Sequence, residues 1–338
     1  MIFNQILLHI LYILKNERTV SSAYHLLRGK RSGQTIQDVG MYKLHCYFGI
    51  LPKLKRTTFD EAIGSLQAAQ LIEVDDEGYF SMKEELAFDQ LPYFNGWHYR
   101  GNEHRFFSRL SLLVETLSHT KENISYFAPT EKNVEAQMFL RAFLQKHPFR
   151  EVAFRHQLLT EVIEALDQPL LSELQRDIVV LRLSGANVAG LTWQQLAQKH
   201  DMSELDVQLQ FISALHGMLS KVLEKPLPLM QQLAEDVYIS MPLTDSTSET
   251  AKLLNEGKSL EQIAAIRRLK ISTIEDHVVE IVMNIPAFNI AAFLSKEQLK
   301  EIHETSEAYA TKKLRVLKEV LPHYSYFQLR LGLAKGEV

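Results

Sequence analysis

The sequence has little of the three residue types that most often interrupt or cross-link a chain. Cys46 is the only cysteine, so no intramolecular disulfide can form, and this scarcity of thiols fits a reducing cytoplasm. The 338 residues include 14 glycines and 10 prolines. Few helix breakers favour helices, and the length allows roughly two to four small domains. We therefore predict a mainly α fold.

A long hydrophobic run is also missing. Residues 2–14 are strongly apolar, but Asn4, Gln5 and His9 interrupt them, and the stretch is shorter than the ~20 residues that a membrane span needs. The stretch has neither a basic segment before it nor a small-residue cleavage site after it. We expect a buried first helix, with no membrane contact.

The motifs of common catalytic sites are absent as well. The sequence contains no G-x-x-x-x-G-K-[ST], G-x-G-x-x-G, G-x-S-x-G or H-E-x-x-H. The chain therefore lacks the usual phosphate loop of an ATPase. His98 and His104, with Glu103 between them, do not have the i, i+4 spacing of a helical zinc pair. We predict that the protein is not an enzyme, binds no metal and uses no cofactor.

Charge is distributed unevenly although the net charge is only −4. Residues 1–60 carry nine Lys or Arg against three Asp or Glu, whereas residues 61–85 carry one against seven. The basic residues fall in two segments, Arg28 to Arg31 and Lys53 to Arg56. Such a cluster predicts phosphate contacts whose strength falls steeply with salt. The alternative is a solvated surface balanced by the acidic hairpin between Glu73 and Glu77.

Residues 257–279 have the pattern of a helix-turn-helix. Ser259 with Gln262, and Ser272 with Glu275, have the spacing of capping boxes that open two short helices. The apolar side of the first helix is predicted to contain Ile263, Ala264, Ile266 and Leu269, and that of the second Ile274, Val278 and Ile281.

The second of these helices would be the one that reads DNA. Its first residues, Ser272 and Thr273, are placed to contact bases or phosphates, with cations beside them for phosphate. Glu275, Asp276 and Glu280 on the same helix oppose a phosphate backbone, although carboxylates also read cytosine. Sequence-specific reading, a weak contact and protein docking all stay open. The residues predicted to contact nucleic acid are Arg28, Lys30, Arg31, Lys53, Lys55, Arg56, Arg267, Arg268, Lys270, Ser272 and Thr273.

An aromatic segment at 93–107 carries Arg100 and Arg105 among six aromatic rings. Bases stack on aromatic rings beside arginine in single-strand binding sites. Core packing between domains explains the same residues more simply, and we favour packing.

The segment from Thr247 to about Ala334 resembles the helicase helix-turn-helix domain at the C-termini of some bacterial RecQ-type helicases. The matching residues are Thr250, Leu253, Gly257, Gln262-Ile263-Ala264, Arg267, Ser272-Thr273-Ile274, His277 and Tyr326-Phe-Gln-Leu-Arg330. As a whole the chain looks like the YpbB-like family of Gram-positive bacteria. That resemblance implies a separate polypeptide that is encoded beside a RecQ-family helicase lacking this domain.

Residues 171–224 resemble region 4 of sigma factors through Leu174-Gln175-Arg176, Val180 to Leu183, Thr192-Trp193, Leu196-Ala197 and Ser203. The sigma pattern has basic residues on its last helix, whereas this helix carries Glu204 and Asp206, which argues against promoter recognition. The predicted organisation is a winged-helix-like domain (1–85) with one small β-hairpin, a helical connecting domain (86–170), a sigma-region-4-like unit (171–230) and the helicase helix-turn-helix domain (245–338).

These observations predict a cytoplasmic, non-enzymatic protein built from several helix-turn-helix-like three-helix units. The resemblance implies a DNA- and/or protein-binding accessory factor of a RecQ-type DNA helicase, acting in DNA repair or recombination. Its partners would be the helicase and, weakly and without sequence preference, DNA. The alternatives are a helix-turn-helix transcription regulator and a protein-interaction scaffold without DNA contact.

Overall fold

The computed structural model describes residues 1–15, 17–82, 91–240, 243–285 and 287–335. Its secondary structure is mostly helical, with one small antiparallel sheet, and the mainly α prediction is confirmed. The first elements are α1 (Ile2–Leu14), α2 (Val20–Leu27), α3 (Gly33–Met41), a 3₁₀ turn (His45–Tyr47), α4 (Arg56–Ala68), β1 (Ile72–Val74) and β2 (Phe80–Met82).

The middle of the chain contains α5 (Gly96–Tyr99), α6 (Glu103–Lys121), α7 (Val134–Gln145), α8 (Val152–Leu166), α9 (Glu173–Leu181), α10 (Trp193–His200), α11 (Glu204–Glu224) and α12 (Pro228–Leu233). The last elements are α13 (Asp245–Asn255), α14 (Leu260–Arg267), α15 (Ile271–Asn284), α16 (Lys296–Ala308), α17 (Leu314–Val320) and α18 (Tyr326–Lys335).

The described residues form two compact units. The first contains residues 1–9, 49–52 and those described within 86–239, and the second contains those described within 10–48, 53–85 and 240–338. The second unit therefore holds both the N-terminal helices and hairpin and the C-terminal helices, including every residue predicted to contact nucleic acid. The four domains predicted from the sequence stay a prediction.

The first unit packs around α11, which is buried along most of its length. In its core, the Phe211 ring contacts those of Phe107 and Trp193 edge-on, at centroid distances of 4.7 and 5.1 Å. Capping boxes open α9 at Ser172 and α10 at Thr192, as their Ser/Thr-x-x-Gln spacing predicts. Because α11 is the central helix of this core, it has no free face with which to read DNA.

The aromatic segment at 93–107 lies in the same unit and packs inside it. Phe94, Trp97, Tyr99, Phe106 and Phe107 are all buried. Their rings contribute apolar burial to the helical core. The five residues are core residues, as the packing interpretation predicts, but they lie inside one unit rather than between domains. Buried rings offer no surface on which bases stack.

In the second unit, one β-hairpin follows α2, α3 and α4, as the sequence predicts. β1 pairs antiparallel with β2, and Ile72 lies opposite Met82 and Val74 opposite Phe80. The turn closes on the Asp75 carboxylate, which accepts hydrogen bonds from the backbone N–H groups of Glu77 (3.0 Å) and Tyr79 (2.8 Å).

Candidate nucleic-acid interface

The predicted helix-turn-helix is present in α14 and α15. Ser259 and Gln262 form the predicted capping box at the start of α14. The helix ends at Arg268, whose φ of 53° lies in the left-handed region, and the Leu269 N–H donates to the Ala264 carbonyl (3.0 Å). α15 begins at Ile271, with only two residues between it and Arg268.

The second predicted capping box is wrong. Ser272 is the second residue of α15 rather than its N-cap, and Lys270 occupies the N-cap position with no side-chain cap. After the left-handed residue Arg268 the chain returns to helical geometry by Ile271, so α15 starts before Ser272. The Ser272 residue is exposed.

Arg267 is held inside the unit by α13. Its guanidinium donates to the Ser246 carbonyl (2.7 Å), to the Ser246 hydroxyl (2.9 Å) and to the Thr250 hydroxyl. The Thr250 hydroxyl lies 2.8 Å from Nδ1 of His277 on α15. Burial lowers the pKa of His277, and the positive charge of Arg267 lowers it further. Arg267 thus joins α14 to α13, while Arg268 and Lys270 are the exposed cations at the turn.

Two of the carboxylates predicted to repel phosphate are paired within the fold. Arg330 of α18 forms an ion pair with Asp276, and its second terminal nitrogen lies 3.7 Å from the Glu275 carboxylate. Asp276 also accepts a hydrogen bond from the Gln37 side chain of α3 (3.3 Å). Their charge is therefore partly compensated before any ligand approaches.

The third carboxylate, Glu280, is buried. It accepts hydrogen bonds from the Thr244 N–H (2.6 Å), the Thr244 hydroxyl (3.2 Å) and the Thr247 hydroxyl (2.6 Å). These donors lie at the start of α13, so Glu280 satisfies free groups at that helix end. Sequence reasoning treated it as a surface charge because its partners lie more than thirty residues away.

The solvent-exposed part of α15 lies mainly in its first two turns, where Glu275 and Asp276 are partly exposed. Ile271 and Ser272 are exposed and Thr273 is half-buried, whereas every residue from 277 to 282 is buried. Helices α13, α14, α18 and α3 all pack on α15. The contact with α3 is close, since a Cβ added at Gly40 would lie 2.6 Å from the Met283 side chain.

A groove of about 390 Å³ runs between the start of α3, the start of α13 and the first three turns of α15. Its walls bring together two predicted site residues from distant parts of the sequence, Arg31 and Thr273. The other residues that line it are Gly33, Ile36, Gln37, Thr244, Asp245, Ser246, Asp276, His277 and Glu280.

The N-terminal basic cluster lies on the same unit, and all six of its Lys and Arg residues are exposed. The guanidiniums of Arg28 and Arg56 both lie over the Tyr24 ring, at 5.5 and 5.3 Å from its centroid. Burial lowers the pKa of His25, and the charges of Lys30, Arg56 and Arg28 lower it further. These three cations therefore surround one site, beside Tyr24 and His25.

One member of this basic cluster has an acidic partner on its own helix. Arg56 donates to Asp60 (2.7 Å), and both side chains are about half exposed. An exposed i, i+4 pair of this kind holds its partners weakly, so it leaves the Arg56 charge available to a polyanion.

The structure is mostly helical and contains a helix-turn-helix with exposed cations at its turn. The chain is therefore a helix-turn-helix protein. Residues 246–333 match the family described as "Helix-turn-helix domain". The chain is also 30% identical to Protein YpbB of Bacillus subtilis (strain 168) over 347 aligned residues, which cover 98% of this chain and 97% of that protein. The chain therefore belongs to the YpbB family.

No solved structure matches this chain. Within the described ranges, no helix is long and apolar enough to cross a membrane.

Proposed function

We propose that this protein is a DNA-binding accessory factor of a RecQ-type helicase, acting in DNA repair or recombination. The observation that supports DNA contact is the disposition of charge on the helix-turn-helix. The carboxylates of α15 have partners inside the unit, whereas Arg268 and Lys270 are exposed at the turn. The helicase as partner rests on the resemblance of residues 247–334 to the C-terminal domain of such enzymes.

The accessory role requires no chemistry from this chain. A second DNA contact, held beside the helicase, raises the effective concentration of the enzyme at the junction, and affinity rises without a new catalytic step. The basic cluster around Tyr24 and the cations at the turn would supply that contact, while the partner hydrolyses ATP.

A transcription regulator is the second candidate, and the burial of α15 counts against it. A regulator of this class reads base edges with the exposed face of its recognition helix. Here the exposed part of that helix ends within two turns.

The first test measures DNA binding by the full chain. The readout is the fluorescence anisotropy of a labelled forked duplex at about 50 and 200 mM salt. We expect binding that weakens strongly at the higher salt. The second test adds the full chain to a RecQ-type helicase that lacks its own helix-turn-helix domain. We expect association and faster unwinding. A protein that binds no DNA, or that leaves unwinding unchanged without associating, contradicts the proposal.

The variant for both tests is the double substitution Arg268→Glu and Lys270→Glu in the full chain. Deleting the C-terminal segment instead would also remove the partners of α3, because both lie in one compact unit. The double variant keeps the fold, since both side chains are exposed. It should lose most of the DNA affinity and most of the effect on unwinding.

A further inference from the structure

We propose that the helix-turn-helix binds the sugar-phosphate backbone of duplex DNA without reading sequence, at a composite site to which the N-terminal segment contributes Arg31. This proposal rests on the DNA contact proposed above and specifies its mode. The site is the rim of the groove between α3, α13 and the first turn of α15.

The packing of α15 supplies the first argument. A recognition helix that reads the major groove presents several side chains to base edges, and phosphate contacts carry no sequence information. Residues 277–282 of α15 are buried, and α3 lies along the helix as far as Met283. The exposed residues of the first turn therefore reach the outside of a duplex, while the rest of the helix does not enter a groove.

The attachment of α3 supplies the second argument, because α3 is fixed rather than free to swing away. Gln37 of α3 donates to Asp276 of α15, and the Lys312 ammonium donates to the Met41 carbonyl at the end of α3. The Glu17 carboxylate accepts bonds from the Thr311 hydroxyl (2.8 Å) and the Lys312 N–H (3.1 Å). Three separate links therefore hold the N-terminal segment on the C-terminal helices.

Charge supplies the third argument. Arg31 lines the groove opposite Thr273, and Lys270 begins the helical turn that contains Thr273. Of the groove carboxylates, Asp276 forms an ion pair with Arg330, whereas Glu280 accepts hydrogen bonds only from the neutral Thr244 and Thr247 and keeps its charge. Asp245 lines the groove too, and among the described residues it has no ion-pair partner. Two cations, Arg31 and Lys270, therefore face a phosphate at the rim, and two carboxylates of the groove, Asp245 and Glu280, oppose them.

The experiment measures the affinity of full-length variants for a duplex of about two helical turns, ~20 base pairs, over a range of salt. Arg31→Ala and Lys270→Ala should each weaken binding roughly two- to fivefold and lower the salt slope by about one. Asp245→Asn should strengthen binding by a similar factor. Lys300→Ala is the matched control, since Lys300 is also an exposed helical lysine of the same unit, paired with Glu304. This control should change neither the DNA affinity nor the salt slope.

Selection from a random-sequence duplex pool completes the test, and we expect no enriched motif. An enriched motif, or an Arg31→Ala variant that binds like the parent while Lys270→Ala loses affinity, overturns the composite backbone site. A parent chain that binds no duplex at all overturns the DNA contact of the proposed function instead. Thermal melting of each variant checks the fold, and Arg31 and Lys270 are exposed, so their removal should leave the melting temperature unchanged.

Discussion

Replacing Arg267 with alanine should destabilise the helix-turn-helix unit rather than weaken its contact with DNA. The substitution removes four contacts of the guanidinium: two with Ser246, one with the Thr250 hydroxyl and one, at 3.3 Å, with Nδ1 of His277. A bond from a charged donor contributes about 1.5–3 kcal/mol when buried, but Ser246 is exposed and solvent competes there. Thr250 keeps its contact with His277. The expected loss is therefore about 2–3 kcal/mol in total.

For a domain of 150–250 residues, each kcal/mol lowers the melting temperature by about 2–4 °C, so the expected shift is roughly 4–12 °C. Calorimetry on the full chain measures the shift, and hydrogen exchange locates it. Amides of α13 and α14 should lose protection first. The matched control is Arg315→Ala, because Arg315 is an exposed arginine in the same unit whose partner, Glu319, lies one turn away. That control should cost less than about 0.5 kcal/mol.

The refuting result is specific. If Arg267→Ala melts like the parent and its DNA affinity falls as much as that of Lys270→Ala, the guanidinium faces phosphate in solution and the assignment to α13 is wrong.

Three further changes test other parts of the structure. Arg268→Gly should stabilise the unit by about 0.5–1 kcal/mol in urea titrations, because glycine adopts the left-handed conformation without strain, while DNA affinity falls as a cation is lost. Burial alone would raise the pKa of Glu103, but the hydrogen bond and charge of His216 and the charge of His104 outweigh it and hold that pKa below its ordinary value of 4.5. The ionised carboxylate then stabilises the fold above that pH and less as the pH falls further, so the stability advantage over Glu103→Gln should shrink below about pH 4.5 in unfolding titrations. Arg330→Met should lower the DNA affinity although residue 330 does not contact DNA. The substitution leaves Glu275 and Asp276, the two carboxylates of α15 that Arg330 pairs with, uncompensated. Fluorescence anisotropy at low salt measures the loss of affinity.

The sequence predicted the features that depend on contacts between residues close together in the chain. A serine with a glutamine three residues later satisfies its own helix end, so the start of α14 at Ser259 was predictable. The hairpin was predictable for the same reason, since Asp75 closes the turn through backbone groups two and four residues away.

The failures have equally definite causes. Ser272 and Glu275 have the spacing of a capping box, yet the turn geometry at Arg268 starts α15 earlier than that spacing implies. The charge of α15 was misjudged because the partners of its carboxylates are distant in sequence: Arg330 lies 54 positions from Asp276, and Gln37 lies 239 positions from it. No local pattern contains such pairs. Arg330 is one of the residues that carry the family resemblance, but the sequence did not predict that it pairs with the carboxylates of α15.

Packing and recognition compete for the same surface of a helix, and in α15 packing takes most of it. Helices α13, α14, α18 and α3 each bury a part of α15, and burial of apolar surface stabilises the unit only while those faces stay dry. Reading a major groove with the same faces would require α3 to leave. The contact at Gly40 is one that a separation of α3 and α15 would lose, since a Cβ there would lie 2.6–2.8 Å from Met283 and force that side chain to shift. Glycine at this position therefore favours the close packing of the two helices, and the proposed DNA contact is left with the turn and the loop before α3.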